Sequence, residues 1–164
     1  MLGGYRDTVP TYASGFLWRN FNLERLEKTS KELVSQGFTA MKFRMGAEDS
    51  AKKEIARMET MRNAVGEEIT LMLDINQGWD INTAISIGRE LAQYNLYWLE
   101  DPINHQDFEG LARIADVLDT PIAAGDATVE DGLEKVLTLG ERATPDALMS
   151  VSYTHLTLPT IYSV

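Results

Sequence analysis

Residues 70–102 read TLMLDINQGWDINTAISIGRELAQYNLYWLEDP, and their hydrophobic rhythm changes twice. TLMLD is a short apolar run that ends in an acid, the pattern of a buried strand. After the polar turn INQGWD, the apolar residues Ile81, Ile85 and Leu91 recur at helical spacing. Asp80, just before them, can accept a hydrogen bond from a free backbone N–H and start the helix. LYWLE then repeats the first run, apolar and aromatic, again closed by an acid. These residues therefore predict a strand, a helix and a second strand.

The same unit recurs on both sides. Strand-like runs appear at VPTYASGFL, TAMKFRM, TLMLDIN, LYWLEDP, PIAAGD and PDALM. Between them lie amphipathic stretches: Leu23, Leu26, Leu33 and Val34; Ile55, Met58, Met61 and Val65; Ile81, Ile85 and Leu91; Phe108, Leu111, Ile114 and Leu118; Val129, Leu133, Val136 and Leu137. Asn22, Asp49, Asp80, Asp107 and Thr128 are the expected N-caps. Strict alternation with short connections demands a parallel sheet covered by helices, either an open doubly wound sheet or a closed barrel. Two features favour the barrel. No glycine-rich phosphate turn follows the first strand, and polar residues gather at the C-terminal ends of several strands. The expected fold class is α/β, a partial (β/α)₈ barrel of about five βα units plus a sixth strand, within a barrel domain over residues 1–150.

Of the 164 residues, 44% are hydrophobic and 24% charged, the balance of a globular protein with one core. A formal charge of -10 argues against nucleic acid or an anionic membrane as partner, since both would be repelled. Without cysteine there are no disulfides, zinc-thiolate sites or thiol nucleophiles. The opening MLGGYRDTVP has no apolar signal core. No run approaches the roughly 18 apolar residues of a membrane span. The default expectation is a cytoplasmic protein.

The last residues, VSYTHLTLPTIYSV, drop the alternation. Read back as GTC TCT TAT ACA CAT CTG ACG CTG CCG ACG, residues 151–160 resemble a transposase sequencing adapter translated in frame. Ser150 and the terminal IYSV fit the flanking bases. Residues 151–164 are therefore set aside as a non-native tail, His155 with them. On that reading, the strands before it are a fragment of the eight that barrel closure requires.

Three carboxylates end three consecutive strands: Asp74 in LMLDIN, Glu100 in YWLEDP and Asp126 in PIAAGD. Their separations, 100 minus 74 and 126 minus 100, are both 26, one βα unit per step. In a barrel they stand side by side at the mouth, where a hard divalent cation relieves their repulsion. The plainer alternative is that each acid caps a helix. Asp101 has the opposite parity to Glu100, whereas Trp98 shares it and reads as barrel core.

Lys42 and Arg44, two residues apart on the second strand, project to one face while Phe43 takes the other. The field of Arg44 is expected to lower the pKa of Lys42 and make it a proton acceptor. Asn76 follows Asp74 by two, placed to bond a substrate oxygen or support a ligand, or simply to form the turn. His105 reads as loop filler before a helix.

The succession KFR, DINQGW, EDP and PIAAGD resembles the mandelate racemase/muconate lactonizing enzymes of the enolase superfamily, which include many acid-sugar dehydratases, over residues 9–149. The resemblance implies Mg²⁺ held by Asp74, Glu100 and Asp126, a small carboxylate substrate, and removal of the proton beside that carboxylate through an enediolate. Collapse then gives racemisation or epimerisation, cycloisomerisation or loss of water. Dehydration of a sugar acid is the favoured outcome, by abundance in the family. The resemblance also implies a homo-oligomer, and an N-terminal capping domain that would choose the substrate.

Two departures stand out. Asp126 replaces the glutamate usual in the mandelate racemase branch. Arg44 replaces the lysine that usually serves as base, so either Lys42 or a histidine on a later strand would take the proton. A competing barrel chemistry is an aldolase using Lys42 as a Schiff base. A third reading is an inactive fragment whose open strand edges favour aggregation. It fails if the chain purifies as a monomer with one cooperative unfolding transition.

Overall fold

Alternating strands and helices follow one another in the computed structural model, which describes residues 10–124 and the strand residues 147–148. The order is β1 (Ala13–Leu17), α1 (Leu23–Ser35), β2 (Ala40–Arg44), α2 (Ala51–Val65), β3 (Thr70–Asp74) and α3 (Ile81–Leu91). After a 3₁₀ turn (Ala92–Tyr94) come β4 (Leu96–Glu100), α4 (Phe108–Ala115), β5 (Ile122–Ala124) and β6 (Ala147–Leu148). Six strands pair in parallel in the order β1-β2-β3-β4-β5-β6. Each strand lies beside its successor, without the reversal of direction that defines a doubly wound sheet. This is the barrel's order, and the fold is that of a partial (β/α)₈ barrel.

Alternation divides the apolar residues between two sides of the sheet. Met41, Phe43, Leu71, Leu73, Leu99 and Ile122 face the helices and pack with Leu26, Leu33, Met58, Met61, Ile87, Leu111 and Ile114. Full burial of each such side chain stabilises by about 1.5–3 kcal/mol. On the inner side Met72, Trp98 and Ala123 pack with Tyr12 and Ala40. In β4, Leu96 pairs with Leu71 but Trp98 pairs with Met72, so Tyr97 is the extra residue of a β-bulge. Tyr97 is exposed, and the bulge lets Leu96 join the outer core while Trp98 and Glu100 turn inward.

The helices begin where their caps direct, with one exception. Asn22, Asp80 and Asp107 accept from the backbone N–H of Arg25, Thr83 and Gly110, each at 2.9 Å. The N-cap of α2 is Ser50, not Asp49, and it makes no side-chain cap bond. Asp49 instead pairs with Lys53 at 2.7 Å. Leu23, expected on the apolar face of α1, is exposed at its first position. The buried face of α2 carries Glu54, Arg57 and Arg62 beside its methionines. Thr128, the apolar series from Val129 to Leu137, Asp126 and residues 151–164 lie outside the described residues. Among the described residues, no helix is long and apolar enough to cross a membrane.

Candidate active site

Register brings the acids together. Arg44 pairs with Asp74 across β2 and β3, and Asp74 pairs with Glu100 across β3 and β4, so three charged residues stand abreast at the C-terminal ends of adjacent strands. Lys42 sits two residues down β2, on the same face. Asp74, Glu100 and Lys42 are buried, and Arg44 is half-buried.

Every carboxylate oxygen of the pair has a partner. The Lys42 ammonium donates to Glu100 Oε1 at 2.5 Å and lies 3.7 Å from Asp74 Oδ2. Arg44 Nε approaches Asp74 Oδ2 at 3.2 Å. The backbone N–H of Asn76 donates to Asp74 Oδ1 at 2.9 Å, and the indole N–H of Trp98 donates to Glu100 Oε2 at 3.1 Å. Trp98 is held in turn by an edge-on contact with Tyr12. It belongs to the inner core as expected, and parity alone did not disclose its hydrogen bond.

The expected lowering of the Lys42 pKa does not occur. Burial disfavours the ammonium, but the charge and hydrogen bond of Glu100, with Asp74 behind it, outweigh that cost and hold Lys42 above the ordinary lysine range. Glu100 is also pushed up, first by burial and further by the nearby Asp74, against the pull of Lys42 and Trp98. The two upward shifts have different causes: burial itself raises Glu100, whereas on Lys42 the neighbouring acids overcome burial.

Asn76 takes the turn position that was the plainer of its two expected roles. Its φ of 53° places it in the turn after β3, and its side-chain oxygen accepts from the guanidinium of Arg19. Arg19 lies 57 positions away in sequence, and no periodicity marks it. Trp18, its neighbour, carries the guanidinium of Arg44 over its ring at 4.6 Å. Arg57, buried on α2, donates to the carbonyls of Phe21 at 2.5 Å and Trp18 at 3.2 Å, fixing the loop that bears both residues. Only the pattern of a charged residue at an otherwise inward helical position could have signalled Arg57.

His105 sits half-buried in the loop before α4, with its N–H 3.5 Å from Gln77 Oε1 and no bond to either acid. A cleft of about 540 Å³ opens between the N-terminal ends of α2 and α3, lined by Gly46, Glu48, Asp80, Thr83 and Ile87 among others. Neither Asp74 nor Glu100 lines it, so the clustered charges and not this hollow define the site.

Among the described residues the site brings two acids together, Asp74 and Glu100. The donor set nonetheless suits a hard cation: two adjacent buried carboxylates whose charge is now balanced by movable side chains. Asp126 lies two residues beyond the last described residue of β5.

Comparison with known proteins gives the chain its relatives. The chain is 38% identical over 152 residues to the L-talarate/galactarate dehydratase of Salmonella typhimurium, an alignment covering 90% of this chain and 37% of that protein. It is 34% identical to the L-Ala-D/L-Glu epimerase of Bacillus subtilis, covering 77% of this chain and 34% of that one. The chain thus spans about a third of the length of these relatives. The crystal structure of the Salmonella typhimurium dehydratase liganded with Mg and L-lyxarohydroxamate superposes with a TM-score of 0.71 at 37% identity, over 76% of this chain and 32% of that one. Residues 25–138 match the enolase C-terminal domain-like family, and with a barrel-ordered sheet bearing acids at successive strand ends, the chain belongs to that family, within the mandelate racemase/enolase superfamily.

Proposed function

We propose that the protein of which this chain forms part removes the proton beside a substrate carboxylate with the help of Mg²⁺ and completes the dehydration of a sugar acid. The reading rests on one observation: Asp74 and Glu100 stand side by side, buried, facing Lys42 and Arg44 across the strand ends. Asp74 and Glu100, with Asp126, would hold the ion. When bound, Mg²⁺ supplies positive charge to the carboxylate and to the anion formed as the proton leaves. The Arg44 guanidinium adds charge from the β2 side. Lys42, kept as an ammonium, serves the same anion as a cation and hydrogen-bond donor. Trp98 and the Asn76 backbone N–H hold the two carboxylates in place, so little reorganisation is needed. Similarity to a galactarate dehydratase favours loss of water as the outcome over epimerisation.

A Schiff base on Lys42 would require a neutral amine, which the two acids beside it oppose. Calorimetry of Mg²⁺ binding to the full-length protein, wild type against Glu100→Gln, tests the reading. We expect binding in the wild type, at least tenfold weaker in the variant, with water loss from galactarate in the wild type alone. Equal binding, or none in either protein, would remove the metal and with it the proposed chemistry.

A further inference from the structure

We propose that Arg19 receives the far carboxylate of the substrate, so that the preferred sugar acid is a dicarboxylic one. This builds on the preceding reading and assigns the opposite end of the same substrate. Arg19 follows β1 by two residues, in the loop between β1 and α1. Its guanidinium reaches the side-chain oxygen of Asn76, whose own N–H is bonded to Asp74 Oδ1. Arg19 therefore stands one residue away from a carboxylate assigned to the metal.

The nature of its partner is informative. Among the described residues Lys42, Arg44, Arg57 and Arg62 each pair with an acid, whereas the bond Arg19 makes is to a neutral amide. A guanidinium presents five N–H donors in a planar fork that matches a carboxylate in two parallel bonds. One amide oxygen leaves most of that fork to a ligand. Asp74 and Glu100 are already shared between Lys42, Arg44, Trp98 and the Asn76 N–H, and neither bonds Arg19.

Its backbone is also set in advance. Arg57 grips the carbonyls of Trp18 and Phe21 on either side of it, and the Trp18 ring lies against Arg44. Fixing the loop before binding lowers the entropy lost when the fork closes on an anion. A site that dedicates a charged fork to one substrate group discriminates against the analogue lacking that group, because the cation is then left unmatched.

Galactarate and galactonate share a carbon skeleton and differ in having a carboxylate or a hydroxymethyl group at the far end, so they make the probe. In the full-length protein with Mg²⁺, kcat/KM and equilibrium affinity are measured for both acids in wild type, Arg19→Gln and Arg19→Lys. We expect the wild type to prefer galactarate by about a hundredfold, the size of one charge-assisted bond pair. In Arg19→Gln that preference falls at least tenfold, through KM and not kcat, and Arg19→Lys restores part of it. Equal losses on both acids would make Arg19 a support for Asn76 and overturn the assignment, as would a preference that survives in Arg19→Gln. A wild type that binds Mg²⁺ and turns over galactonate as well as galactarate overturns this inference and leaves the proposed chemistry standing. A wild type inert to both acids refutes the two together. Mg²⁺ affinity and circular dichroism of each variant identify one that has failed to fold, in which case Arg19→Lys alone decides by the same ratio.

Discussion

Lys42 spends its single positive charge on two carboxylates. Removing it leaves Glu100 buried without its ion-pair partner and, among the described residues, Asp74 with Arg44 alone, and breaking one partner of a buried ion pair commonly costs several kcal/mol. Lys42→Met should therefore lower the unfolding free energy by about 3 kcal/mol without metal, measured by urea denaturation. Saturating Mg²⁺ should return more stability to the variant than it adds to the wild type, because it replaces the missing charge. Equal gains in both proteins would mean that the ion does not bind where Lys42 sits. Period-two alternation made the common face of Lys42 and Arg44 legible, and equal spacing singled out Asp74 and Glu100. The direction of the Lys42 pKa was not legible: it depends on acids 32 and 58 positions away, 74 minus 42 and 100 minus 42. Arg19 was hidden for the same reason, because its role comes from a contact between two loops and no local pattern encodes it.

Elements close behind the site at two glycines. Gly46 has a φ of 87°, and a Cβ there would meet the carbonyl oxygen of Ile75 at 2.8 Å. A Cβ on Gly78 would lie 2.6 Å from the Gly46 oxygen. The loops after β2 and β3 thus touch backbone to backbone. Gly46→Ala should lower stability by about 3 kcal/mol, from a left-handed conformation and a forced contact together, seen as a lower urea midpoint. A shift within error would mean that the loops can part without cost. Helices α1, α3 and α4 were legible because their apolar residues keep the helical period. In α2 the inward face bears Glu54, Arg57 and Arg62, which receive or donate bonds to loop backbone. The sequence does not mark those residues as buried, because their partners are carbonyls and N–H groups, which every sequence contains and none displays. Helix α2 starts at Ala51, which makes Ser50 its cap, and Asp49 one residue earlier pairs with Lys53.

At the scale of the molecule, alternating runs announced a parallel sheet. They could not choose between a barrel and an open sheet; the sequential order β1 to β6 does, since every crossover returns to the adjacent position. Bulges deepen the right-handed twist of strands, which a closing sheet requires. The bulge at Tyr97 has another consequence, best put as a reading frame. In a regular strand Leu96 and Glu100 would share a face, and the acid would point into the helices. Tyr97 acts as a one-residue frameshift, with Leu96 read outward before it and Trp98 and Glu100 read inward after it. Deleting Tyr97 removes the inserted residue and keeps both pairings, so Mg²⁺ affinity should stay within a few fold of wild type. Deleting Leu99 instead changes the frame downstream and turns Glu100 out of the site, which should abolish Mg²⁺ binding. If both deletions proved equally damaging, the bulge would be a matter of fit and not of frame. If they separate as expected, a tolerated deletion in β4 marks where evolution can shorten the strand without disturbing the site.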